Sequence, residues 1–231
     1  MIVGMWESFL YNKSNGRPYQ NGFTAKEGMV MRYSFCEMGI MIAVVSFLGF
    51  AVENTWLAVT KGYVDNRNMN LPFLLGYGLA LAAIYYGLGI PSETPLFSLL
   101  PGRARLLLYF LAVMLCVSVG EIVLGRVTER LCRIEYWNYS WIPLHITKYT
   151  SVPTSVGFAA MITLFMEHCF QPLMAAISRM DGRAVRVAAP VLLVLLATDY
   201  LYCYGQMMKR HSFYEKWKMP VQWKGLRRHS V

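Results

Sequence analysis

Five stretches of the chain are nearly unbroken runs of apolar residues, at about 39–59, 71–90, 106–125, 152–176 and 187–204. Each approaches the roughly 20 residues that a helix needs to cross hydrocarbon. A helix also satisfies its own backbone hydrogen bonds, as lipid demands. The pattern therefore predicts an all-α fold, a polytopic transmembrane helix bundle of about five spans (bundle 37–204). The second run opens on Leu71-Pro72 and contains Gly76-Tyr77-Gly78, so its first half is expected to be irregular, and Pro91 and Pro95 end it. The fourth is expected to be interrupted near Glu167, His168 and Pro172.

Outside the runs, residues 1–36 read as an extramembrane arm with the loop-like cluster Asn12-Lys13-Ser14-Asn15-Gly16-Arg17-Pro18. No short apolar stretch there leads to a small-residue cleavage site, so no cleavable signal peptide is expected. Residues 205–231 read as a basic tail whose Trp217 and Trp223 suit a membrane interface.

Composition agrees: 56% of residues are hydrophobic and 15% charged, where a soluble domain carries about a quarter charged. The net charge of +9 comes from 22 basic and 13 acidic residues. The basic ones fall between and after the apolar runs, which points to a lipid bilayer surface and away from nucleic acid. With five spans, the arm and the second and fourth loops carry 9 basic residues, against 13 for the first and third loops and the tail. The positive-inside rule then predicts a multi-pass plasma-membrane protein with a cytoplasmic C-terminal tail.

Some chemistries drop out. The five cysteines show no C-x-x-C spacing and the four histidines no ligand spacing, so neither a disulfide framework nor a metal or other cofactor is expected. No G-x-x-x-x-G-K-[ST] phosphate loop, H-E-x-x-H or G-x-S-x-G is present.

What remains is acid inside helices. At about 1.5 Å per residue, Glu53, Glu121 and Asp199 lie about 21, 22 and 18 Å along their spans, at similar depth in helices that run the same way. A carboxylate near a helix centre costs about 2.5–3.5 kcal/mol on insertion scales. These acids should face the bundle interior, as a cation, proton or polar-substrate site or as hydrogen-bonded packing locks. Gly49 precedes Glu53 by one turn, and Gly120 and Gly125 flank Glu121, which permits close helix contact. Residues 39–90 and 106–176 suggest a duplicated helix pair.

Between the first two spans, Arg67 reads as a positive-side anchor, with a carboxylate pair as its alternative. Tyr136-Trp137-Asn138-Tyr139-Ser140-Trp141 reads as an interfacial loop, or as one folding back with Asn138, Ser140 and His145. Glu167 and His168 lie toward the opposite end and are not expected to join the other acids.

The run Gly49-Phe50-Ala51-Val52-Glu53-Asn54-Thr55, then Asn66-Arg67, Pro72 and Gly76-Tyr77-Gly78, resembles the first signature of the CmpB-like ABC-transporter permeases, a bacterial group also labelled type IV. Glu121 followed by Trp137-Asn138-Tyr139-Ser140 is similar to the second, with Asn138 where the family reads aspartate. The similarity covers about residues 40–175. It implies a membrane transport component, and a separate ATPase subunit or a homo-oligomer as partner. The candidate binding residues are Glu53, Glu121, Arg67, Asn66, Tyr77, Trp137, Asn138, Tyr139 and Ser140, with Asp199 added on depth. The expected function is movement or sensing of a small polar or cationic solute. The alternatives are a membrane-embedded enzyme acting on a lipid-linked substrate and a non-catalytic scaffold or regulator.

Overall fold

The computed structural model describes residues 33–94, 97 and 99–221; most of the expected N-terminal arm and the end of the tail, including Trp223, lie outside them. Helix α1 (Phe35–Lys61) starts where Ser34 and Glu37 cap each other reciprocally, and ends at Gly62, whose φ of 72° suits glycine. After β1 (Tyr63–Asp65) come α2 (Leu75–Leu88) and α3 (Gly102–Cys132). A short hairpin, β2 (His145–Thr147) and β3 (Thr150–Ser151), leads into α4 (Val152–Ser178). The chain continues through α5 (Gly182–Arg210) to β4 (Lys218–Pro220), which pairs antiparallel with β1.

Helices α1, α3, α4 and α5 are each long and apolar enough to cross a membrane. Helix α2 is not. Its 14 residues reach only about 21 Å, and the expected run 71–90 is helical only over Leu75–Leu88, with Gly76-Tyr77-Gly78 inside the helix. The reason lies in the connection before it. Residues 62–74 turn back along α1 until the Leu74 N–H donates to the Ser46 carbonyl at 2.9 Å. Ser46 is seven residues before Glu53, so α2 starts about 10 Å deeper than that glutamate. Irregular backbone at such depth is tolerated only when protein surrounds it. Asp199 of α5 supplies part of that cover, accepting from the Leu71 N–H at 3.0 Å and from Asn70 Nδ2 at 2.8 Å.

The interruption expected in α4 is a single π turn, Phe165–Cys169. Pro172 has no N–H to offer the carbonyl four residues back, and a π turn is one way a helix absorbs that loss. Apolar packing around Met41, Tyr109, Val113, Met166, Phe170 and Met174 holds α1, α3 and α4 together. The starts of α1 and α3 meet the later part of α4 through Glu37 with Ser178 and Arg105 with Glu167.

At the other end the final turns of α3 and α5 meet, and the segment after α1 joins them through the pairing of β1 with β4. His211 Nδ1 lies 3.1 Å from the Cys132 carbonyl, and a second apolar cluster joins Met69, Cys132, Cys203, Met207 and Tyr214. The tail expected from residue 205 thus begins later, because α5 runs to Arg210 and the chain then folds back over the bundle. Asn66, 2% exposed, clamps this return. Its Nδ2 donates to the Met69 and Tyr214 carbonyls, each at 2.9 Å, and its Oδ1 accepts from the Lys216 N–H at 3.0 Å. Asn66→Ala is expected to cost about 1–3 kcal/mol by leaving buried backbone groups unpaired. Amide exchange in residues 211–221 should accelerate while that of α1 stays unchanged.

Candidate functional site

The first connection is pinned to α1 beside Glu53. Asn54 Oδ1 accepts from the Asp65 N–H at 2.9 Å, and Asp65 Oδ1 accepts from the Arg67 N–H at 2.8 Å. Arg67 and Asn68 then adopt left-handed backbone, with φ of 46° and 61°. This turn aims the guanidinium back at the helix, where Arg67 Nη2 meets Glu53 Oε2 at 2.5 Å. The reading of Arg67 as a simple positive-side anchor is therefore corrected to the carboxylate pair. Tyr77 of α2 donates its hydroxyl to Glu53 Oε1 at 2.6 Å. Gly49 makes this possible, since a Cβ there would lie 2.5 Å from Tyr77 Cγ. Asn68 Nδ2 donates to the Tyr136 hydroxyl at 3.2 Å, tying this turn to the third connection.

Glu121 is held differently. Thr150 donates to Glu121 Oε2 at 2.6 Å, and its hydroxyl lies 3.0 Å from that of Ser155, to which Ser118 donates at 2.9 Å. The third connection does fold back onto the bundle. Trp137 Nε1 donates to the Tyr149 carbonyl at 2.8 Å, and the Tyr139 N–H donates to the Lys148 carbonyl at 2.8 Å. Burial first, then the charges of Glu121 and Glu53, push the Tyr139 hydroxyl above the ordinary phenol range. Asn138 and Ser140 instead form a local turn, with Asn138 Oδ1 accepting from the Ser140 N–H at 2.9 Å. His145 is exposed beside the Ile142 carbonyl and joins neither glutamate. Asp199 binds Asn70 and Leu71, and Asn66 is occupied by backbone.

One arrangement escaped the reading by hydropathy. The Tyr149 ring packs against Gly125, its hydroxyl donates to Glu129, and Lys148 Nζ bridges Glu129 at 2.7 Å and Glu135 at 2.9 Å. Glycine, glutamate four residues on, a tyrosine on the glycine and a cation on the glutamate thus occur twice. The pairing is Glu53 with Glu129. The spacing G-x-x-x-E at 49–53 and 125–129 was the available signal.

Hydrogen bonds to Glu129 and Glu135 raise the Lys148 pKa above its ordinary value, and those from Asn138 and Lys148 lower that of Glu135. The depressed carboxylate contributes above its unfolded pKa and loses that contribution as pH falls through its folded one. The raised ammonium contributes at neutral pH and loses it only on the alkaline side. Lys148→Met is expected to lower the melting temperature slightly at pH 7 and to make its decline between pH 5 and 3 shallower, read by thermal denaturation in detergent across pH.

At the opposite end, Arg105 Nη2 meets Glu167 Oε1 at 3.3 Å. Among the described residues, the buried polar side-chain atoms without a hydrogen-bond partner are Arg67 Nε, Arg105 Nε, Thr163 Oγ1 and Glu167 Oε2. All belong to the two Arg–Glu pairs or lie one turn from Glu167. No group of three or more His, Cys, Asp or Glu among the described residues is placed to hold a metal ion.

No curated protein and no solved structure matches the chain. A protein-family model does, over residues 40–204, a stretch that covers all or most of each of the five described helices and both Gly-x-x-x-Glu arrangements. The chain is a multi-pass membrane protein and belongs to the family described as "Putative ABC-transporter type IV".

Proposed function

We propose that the chain is the membrane component of a transporter for a small polar or cationic solute, with Glu53, Arg67, Tyr77, Tyr139 and Glu121 forming the polar station on its path. The observation that carries the reading is where hydrogen bonding is left incomplete. Both Arg–Glu pairs, one toward each end of the bundle, keep a buried N–H without a partner. A packing lock would be expected to satisfy its polar atoms, because unpaired buried groups are costly. A site that exchanges partners with a passing solute retains spare donors and acceptors. The Glu53 pair is 27% and 23% exposed on its two side chains, partly desolvated yet not sealed.

By this reading the basic end, where α1, α3 and α5 finish, faces the cytoplasm and receives a separate ATPase subunit. Tyr139→Cys is expected to react with a small membrane-impermeant thiol reagent applied from that end, and the substituted thiol to be shielded by a transported solute. Reaction no faster than that of the lipid-facing Cys116 would contradict a water-lined path. If the purified chain brings no nucleotide-hydrolysing subunit and transport survives ATP depletion, the ATPase element of the reading fails.

A further inference from the structure

One face of α3 changes character along its length. Leu115, Val119 and Val123 are 65%, 53% and 53% exposed. They are followed at helical spacing by the exposed Arg126 and Arg130, and by Arg133 just past the helix end. Steps of four, four, three and four residues keep the first five on one stripe, and Arg133, in left-handed backbone with φ of 55° just past the helix, lines the same cavity as Arg126 and Arg130. That cavity is about 640 Å³, and Glu129, Glu135 and Lys148 also line it. Lys148 already serves both carboxylates. The three guanidiniums have no side-chain partner among the described residues. The cavity's ionised groups, four cations and two anions, therefore leave an excess of positive charge.

We infer that this stripe and Arg133 form a binding site for an anionic phospholipid, with the phosphodiester at Arg126, Arg130 and Arg133 and an acyl chain along Val123, Val119 and Leu115. Arginine forks suit phosphate oxygens. A free phosphate would use the same charges but would gain nothing from the apolar half of the stripe, whereas a lipid is matched to both halves. An acidic segment of a protein would likewise leave that half in contact with bilayer alone. The site lies at the end of the bundle that holds most of the basic loops, and anionic lipids concentrate in the leaflet to which such loops turn.

The test uses the full chain purified in neutral detergent, with dioleoyl phosphatidylglycerol, dioleoyl phosphatidylcholine, inorganic phosphate and a polyglutamate peptide as probes. Thermal stabilisation and lipid retention in native mass spectra are the readouts. Phosphatidylglycerol should stabilise the chain and stay bound where phosphatidylcholine does not. Replacing Arg126, Arg130 and Arg133 together by glutamine should weaken that binding at least tenfold, while Arg103→Gln, on a basic residue at the other end of α3, leaves it unchanged. Should the triple variant not fold, Arg130→Gln alone should still show a several-fold loss. Equal retention of the two lipids would overturn the inference, as would undiminished phosphatidylglycerol binding by the variants. Inorganic phosphate as effective as the lipid at equal concentration would overturn the lipid occupant, and polyglutamate acting where the lipid does not would replace it with a protein partner.

Discussion

Glu53→Ala is expected to destabilise the folded chain by about 2–3 kcal/mol, below the cost of breaking a fully buried ion pair because the two side chains stay 27% and 23% exposed. The loss would come less from the missing attraction than from what is left behind. Arg67 would keep its charge with only Asp65, 3.8 Å away, as a carboxylate partner, held by a turn that Asn54 and Asp65 fix. Tyr77 would lose its acceptor while its ring stays trapped against Gly49. Glu53→Ala combined with Arg67→Met should recover part of the loss, since the guanidinium is gone and only the Asp65 carboxylate, which still accepts from the N–H of residue 67, is left without its cation. Reversible unfolding of all four proteins in mixed micelles gives the cycle. A double variant as unstable as the sum of the singles would mean that the two side chains do not act as a pair.

Gly78→Ala is expected to cost about 3 kcal/mol, at the top of the range for overpacking a tight contact. A Cβ at Gly78 would meet the Ile42 carbonyl oxygen and lie 2.6 Å from Ser46 Oγ. These atoms sit on α1, and the nearest is backbone, which cannot swing aside. Helices α1 and α2 would have to separate where the dipping connection delivers α2 into the bundle. Gly76 and Gly87 share that helix, and a Cβ on either meets nothing within 4 Å. Alanine there should be neutral or stabilising by up to about 1 kcal/mol. The same unfolding measurement separates the three glycines. Equal effects would show that α1 and α2 do not approach through Gly78.

The helix bundle was legible because lipid leaves the backbone few options, so long apolar runs translate directly into helices. The limits of α2 were not. Residues 71–74 are as apolar as the helix they precede, and hydropathy does not register that Leu74 spends its N–H on Ser46. Pro172 did mark the interruption of α4, though not its form as a π turn. Arg67 was ambiguous for a related reason: its direction depends on left-handed backbone at a non-glycine residue, which Asp65 and Asn54 enforce from the side. Glu129 was passed over because the apolar run ends near residue 125 while α3 continues to Cys132. Asn66 is conspicuous in sequence beside Arg67, yet the fold gives it backbone partners, one of them 148 residues away.

The central claim is that the Glu53 carboxylate serves a solute and does more than hold helices together. The isosteric Glu53→Gln retains the shape of the side chain and an acceptor for Tyr77 but removes the charge. The decisive measurement compares wild type and Glu53→Gln in thermal stability against a panel of small cations, amines and zwitterions. The expected result is that Glu53→Gln folds, that at least one polar or cationic solute raises the wild-type melting temperature, and that the same solute leaves the variant unmoved. A variant stabilised as much as wild type by the same solute would contradict the account and leave Glu53 as a packing residue.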